Sequence, residues 1–193
     1  LKEELDLLKK KKYEISYFKT ENENLKLALG LENIKITVED TITIANVMVD
    51  QRSPFLKSVL INKGTKHNII KGMTVFSKNY LIGTVIETNY LSSRVLLITD
   101  LNSKIPTIIQ DSDINVILAG RGNKNNFTLE YLPDNFTIEP NKIIFTSGKD
   151  GFLKTGMPVA ETYLNKKNEI RVRSLTDPQQ ASIVHVTKGQ FKN

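Results

Sequence analysis

Three residues stand in an order that could carry out acyl transfer: His67, Asp100 and Ser147. In one class of serine protease a histidine, an aspartate and a serine follow one another this way. The serine attacks a carbonyl, the histidine takes its proton and the aspartate orients the imidazole. Such a triad is defined by geometry and roles rather than by order. No Gly-Asp-Ser-Gly run is present to shape an oxyanion hole. Metal chemistry fares no better. The two histidines, His67 and His185, are far apart, and no His-x-x-x-His or Glu-x-x-His spacing occurs. His185, between Val184 and Val186, reads as an outward-facing or hydrogen-bonded strand residue. Asp111-Ser112-Asp113 opens like a calcium loop but lacks the glycine and terminal glutamate of that motif. It reads as a domain-joining turn. There is no cysteine, which removes disulfides, zinc-finger spacings and thiol nucleophiles. Neither glycine-rich stretch runs into Gly-Lys-Ser/Thr and a helix, as a phosphate loop must. The expectation is no enzyme, with no catalytic, metal or cofactor-binding residue.

Charge points to binding rather than chemistry, and only weakly. The 193 residues carry a formal charge of +6, which invites a nucleic-acid or anionic-membrane reading. Residues 1–29, however, hold seven lysines against six acids, so most of the surplus is scattered downstream. No arginine-rich segment or aromatic-basic interleave accompanies it, and nucleic acid is not expected as a partner. The one tight block, Lys9-Lys10-Lys11-Lys12, reads as a solvated helical face, with an acidic or membrane-surface partner as the alternative.

The elements that would position any site divide in two. Residues 1–29 contain no proline or glycine. Leu1, Leu5, Leu8, Ile15, Phe18, Leu25 and Leu29 recur at steps close to a heptad, with a stutter near Ile15. This predicts a helix over residues 1–30, about 44 Å long at 1.5 Å per residue and stopped at Gly30. An apolar stripe that long must be buried. A second copy of the helix is the favoured partner, and packing on the chain's own domain is the alternative. From Thr41 onward the pattern becomes short β-branched runs: 42–49, 59–62, 82–88, 95–99, 105–109, 115–119, 127–132, 143–146, 159–164, 170–174 and 183–186. Turn chemistry such as Ser77-Lys78-Asn79, Pro133-Asp134-Asn135 and Lys166-Lys167-Asn168 separates them. Short strands with no helical pattern between them predict small all-β domains closed as barrels or sandwiches. No run of about 18 apolar residues exists to span a bilayer. The chain begins at Leu1, in mid-pattern, so its natural N-terminus and any membrane anchor are expected to lie upstream.

An internal repeat sharpens the β reading. Gly64 to Val75 aligns without gaps with Gly148 to Val159. Each copy leaves a strand at a glycine, runs seven residues to Gly72-Met73 or Gly156-Met157, and enters another strand. The first glycine of each copy is expected to leave its strand through positive φ, with an apolar pair plugging a barrel end. Two such units imply two related β-domains. The boundaries expected are 42–110 for the first and 111–193 for the second, and the C-terminal strands are free to return to the first. Ser147 takes the place that Lys63 holds in the other copy, and His67 aligns with Gly151, so the repeat accounts for both without catalysis.

These same blocks carry a family resemblance. Asn62-Lys63-Gly64, Lys71-Gly72-Met73, Gly83-Thr84-Val85-Ile86-Glu87 and the run Ser93 to Asp100 resemble the first β-domain of the MreC family. Gly120-Arg121-Gly122, Leu129 to Pro133, Phe145-Thr146-Ser147-Gly148 and Gly156-Met157-Pro158-Val159 resemble its second. Lys149-Asp150-Gly151-Phe152 departs from the family's more glycine-rich stretch. The resemblance covers roughly residues 45–186. It implies a mainly β fold: a dimerising coiled-coil helix followed by two six-stranded barrels, like those of chymotrypsin-like proteases but without catalysis.

The function it implies is a scaffold of the cell-elongation complex, anchored in the inner membrane by a single pass with this region in the periplasm or outside the membrane. Implied partners are a second copy, MreD, the MreB-linked complex, RodA and the elongation penicillin-binding transpeptidase. The alternative is a periplasmic adaptor of an efflux or secretion system, which also joins coil to small β-domains. A matching second helical arm upstream would favour the adaptor.

Overall fold

The structure is a computed structural model that describes residues 2–28, 42–48, 57–122, 126–149, 151, 153 and 155–187. Leu1, Leu29 and the helix stop at Gly30 lie outside these residues. The chain divides into two compact units, residues 1–39 and 40–193.

The first unit holds helix α1, Lys2–Ala28. Nothing in it interrupts the backbone ladder, and Glu3 and Glu4 in the first turn face the positive end of the helix dipole. The second unit holds β1 (Thr43–Met48), β2 (Ser58–Ile61), β3 (Thr74–Ser77), β4 (Tyr80–Thr88), β5 (Ser93–Leu97) and β6 (Lys104–Ile109). It continues with β7 (Asn115–Gly120), β8 (Asn126–Glu130), β9 (Ile143–Thr146), β10 (Pro158–Leu164), β11 (Ile170–Ser174) and β12 (Ile183–Thr187). Each β-branched run overlaps a strand; the strand those runs leave out, β3, is the one the first repeat enters at Val75.

Two closed six-stranded antiparallel barrels result. The first is ringed in the order β1-β12-β3-β4-β5-β2 and the second β10-β11-β8-β7-β6-β9. The alternation of side chains sends one residue set inward. Ala45, Ile61, Val75, Val85, Val95, Val184 and Val186 fill the first barrel. Ile105, Leu118, Phe127, Ile144, Val159 and Val172 fill the second. Leu81 on β4 is buried in the second barrel's cluster beside Ile98, so a wall strand of the first barrel packs onto the core of the second.

The topology corrects the expected boundary. β6 belongs to the second barrel, so the division falls in the turn between Leu97 and Lys104, not at residue 110. Asp111-Ser112-Asp113 is the tip of the β6–β7 hairpin, with Ser112 Oγ donating to Ile109 O at 2.9 Å. A turn that reverses a hairpin and one that links two barrels share the same local chemistry, so the spacing of turn residues does not separate them. The C-terminal segment splits: β10 and β11 close the second barrel, while β12 inserts between β1 and β3 of the first. Ala45 pairs with Val184 and Val186 with Val75.

The repeat is local rather than global. Gly72 and Gly156 both have positive φ, at 91° and 81°. Gly72 N donates to Val85 O while Val85 N donates to Met73 O; likewise Gly156 N donates to Thr146 O and Thr146 N to Met157 O. Each Gly-Met therefore opposes one residue of a neighbouring strand, a bulge that favours glycine at its first position. The neighbour differs: β4, which follows, in the first barrel and β9, which precedes, in the second. β9 and β10 pair directly, whereas β2 and β3 do not. The first glycines also diverge. Gly148 has φ 68°, as expected, but Gly64 is extended at −137°. Gly64 is required instead by close approach, since a Cβ there would lie 2.1 Å from the Asn89 carbonyl oxygen. Of the apolar pair only one residue plugs the first barrel: Ile69 is buried and Ile70 exposed. Leu153, at the position of Ile69, is buried in the second.

Candidate functional site

On α1 every seam residue within the described set is open to solvent: Leu5, Leu8, Ile15, Phe18 and Leu25. Their exposures of 52–69% mark a solvent-facing apolar stripe. Leu7, Tyr13 and Tyr17 are exposed as well, so apolar surface extends beyond the heptad stripe. Lys9 to Lys12 are exposed, as the solvated-face reading requires.

The three residues in protease order are not brought together. Asp100 is buried and its carboxylate is fully committed to backbone and turn. Oδ2 accepts from Lys57 N at 2.7 Å, and Oδ1 accepts from Asn102 N at 2.7 Å and Asn102 Nδ2 at 3.0 Å. His67 ends a short 3-10 turn in the first barrel, and its buried Nδ1 has no hydrogen-bond partner. Burial, and then Lys63 and Lys66, hold its pKa below the usual histidine value. Ser147 lies at the exit of β9 in the second barrel, its Oγ within 3.5 Å of Lys149 N. Asp100 thus orients a turn rather than an imidazole. His185 projects from the outside of the first barrel and stacks on Phe76 with ring centroids 5.3 Å apart. No group of three metal-ligating side chains occurs among the described residues.

Surface ion pairs decorate the second barrel. Lys142 reaches both Asp111 at 3.0 Å and Glu139 at 3.1 Å, which raises its pKa, the Asp111 hydrogen bond first. Arg171 holds Glu169 at 2.6 Å, and with Asn165 lowers the pKa of that carboxylate. Arg173 pairs with Glu161 at 2.7 Å and lies over the Tyr163 ring. Such exposed pairs shape the surface more than they stabilise the fold.

A feature missed by sequence reasoning lies between the barrels. A groove of about 480 Å³ has Thr84, Ile86 and Leu96 from the outside of β4 and β5 along one wall. Ser103, Lys104 and Ile105 form the other, with Lys71-Gly72 of the first repeat and Leu153 of the second at its margins. Lys104 is paired with Glu130 at 2.8 Å, a hydrogen bond that raises the lysine pKa. One signal was available in the sequence. β4 and β5 carry apolar residues on both faces, Val85 and Val95 inward and Ile86 and Leu96 outward, as strands covered on both sides do. Tyr131, just after β8, is 79% exposed in a left-handed conformation.

Residues 47–188 match the family model described as rod shape-determining protein MreC, barrel core. The chain is 32% identical over 160 residues to the cell shape-determining protein MreC of Escherichia coli, covering 83% of this chain and 43% of that protein. Among solved structures, MreC of Listeria monocytogenes superposes with a TM-score of 0.77 at 23% identity, covering 98% of this chain and 94% of that one. The complex between penicillin-binding protein PBP2 and MreC from Helicobacter pylori matches with a TM-score of 0.54 at 15% identity, over 79% of this chain and 99% of that chain. The chain spans about half the length of the curated relatives it matches.

Proposed function

The chain belongs to the MreC family of rod shape-determining proteins, and on that premise we propose that it is the extracytoplasmic scaffold of a cell-elongation complex. Its relatives are cell shape-determining proteins, and the observation that carries the proposal is the extent of the match. Residues 47–188 run from the end of β1 through β12, so the family core spans both barrels and the returning strand that links them. One relative is solved in complex with a penicillin-binding protein. By extension, the elongation transpeptidase is the first partner of this chain, with RodA, MreD and the MreB-linked complex assembled around it.

Valency supplies the mechanism. The exposed stripe of α1 pairs with a second copy, and each copy presents two barrels. A partner held at one barrel pair meets the next at raised effective concentration without new contacts. In this reading the region lies in the periplasm or outside the membrane, carried by an anchor upstream. No helix among the described residues is long and apolar enough to cross a membrane. Family membership favours this scaffold over the efflux or secretion adaptor. The test is direct binding: the chain is immobilised and the purified extracytoplasmic domain of the elongation transpeptidase is passed over it. Saturable binding is expected, and no binding at tens of micromolar overturns the proposal.

A further inference from the structure

The groove between the barrels has the anatomy of a peptide site. Its volume of about 480 Å³ lies in the range of roughly 300–1,000 Å³ typical of ligand clefts, which occur preferentially at domain interfaces. Its wall is apolar where a barrel exterior is ordinarily polar: Ile86 and Leu96 point out of β4 and β5, away from the barrel core, yet both are half-buried in the cleft. The adjoining bulge keeps the rim low, because Gly72 at φ 91° carries no side chain. Two cations flank this floor. Lys104 is engaged by Glu130, whereas Lys71 is exposed and has no ion pair among the described residues. An apolar floor with an exposed lysine at its edge is complementary to an apolar side chain followed by a carboxylate. A nucleic acid would require a row of cations, and a closed small-molecule site would require more enclosing polar groups.

We propose that this groove docks an extended acidic segment of a partner protein, its apolar side chain on Ile86 and Leu96 and its carboxylate at Lys71. The proposal rests on the scaffold reading only in taking a protein as the occupant. Both barrels are closed, so the segment cannot add as an extra strand. Its recognition comes from side chains, and its affinity falls with salt.

The test uses the full 193-residue chain and two fluorescein-labelled decapeptides, one of alternating leucine and aspartate, the other with lysine replacing each aspartate. Fluorescence anisotropy at low salt is expected to show the acidic probe binding at least tenfold tighter than the basic one. Lys71→Glu, at an exposed position, is expected to weaken it tenfold or more, while Lys166→Glu, on the β10–β11 turn, leaves it unchanged. Amide resonances of Thr84, Ile86 and Leu96 should shift on titration. Equal affinity for both probes, no binding, or full retention by Lys71→Glu overturns the inference. If wild-type chain still binds the transpeptidase domain in that case, only the groove assignment falls. If that binding is absent too, the scaffold reading falls with it.

Discussion

Replacing Asp100 separates a structural carboxylate from a catalytic one. It is 2% exposed and accepts three hydrogen bonds, two from backbone N–H groups and one from the Asn102 side chain. Through Lys57 it ties the entry to β2 to the turn that leads out of the first barrel into β6. Hydrogen bonds to a charged acceptor contribute about 1.5–3 kcal/mol each, and donors left unpaired add a desolvation cost. The three share one carboxylate and do not sum, so Asp100→Ala is expected to cost about 3 kcal/mol. Asp100→Asn keeps an acceptor for Asn102 but turns an amide NH₂ toward the Lys57 N–H, which predicts a smaller loss of about 1–2 kcal/mol. For a unit of this size 3 kcal/mol corresponds to a fall of roughly 6–12 °C in the melting midpoint. Urea unfolding monitored by far-UV circular dichroism gives both values, with unchanged m required for the comparison. A loss under about 1 kcal/mol for the alanine variant would refute the assignment. Stoichiometric labelling of Ser147 by a fluorophosphonate probe, abolished by Asp100→Ala, would restore the protease reading.

Other outcomes follow from single features. Gly83→Ala places a Cβ 2.1 Å from the Leu96 carbonyl and must part β4 from β5, whereas Gly151→Ala meets nothing within 4 Å. Thermal melts should therefore show a large fall for the first and, for the second, only the strain of positive φ, about 1 kcal/mol. His67 binds its proton more weakly when folded than when unfolded, so its contribution is fully present above pH 6.5 and is lost as pH falls below that value. His67→Asn should flatten the decline in melting midpoint between pH 7.5 and pH 5; an unchanged slope would show that the decline originates elsewhere. On α1, Leu8→Asp with Ile15→Asp puts two charges on the exposed stripe. Sedimentation equilibrium is expected to shift from dimer to monomer, and an undiminished dimer would locate the interface away from the helix.

What the sequence discloses here is local. The β-branched runs mark strands because alternation and turn residues are properties of a few neighbouring positions. The Gly-Met re-entries into strands are legible for the same reason, whereas the positive φ and the bulge at Gly72 and Gly156 depend on a neighbouring strand and are not. Pairing partners are not local. β12 sits between β1 and β3, so Ala45 meets Val184 across most of the chain, and nothing in the run 183–186 names that neighbour. Likewise the repeat predicted sister units, but the same bulge serves a following strand in one barrel and a preceding one in the other. Gly64 reads as a left-handed exit, while its actual constraint, the Asn89 carbonyl, lies in the distant turn between β4 and β5. The groove is half-legible for the same physical reason: Ile86 and Leu96 signal a second covered face on β4 and β5, but nothing local says that the second barrel covers it.

If a paired helix multiplies the hold of two barrels on their partners, dissociation from a surface densely coated with the transpeptidase domain reports it. The intact chain is predicted to leave at least tenfold more slowly than residues 40–193 alone, and to lose that advantage when the surface is made sparse. Equal dissociation rates at high density would contradict the account.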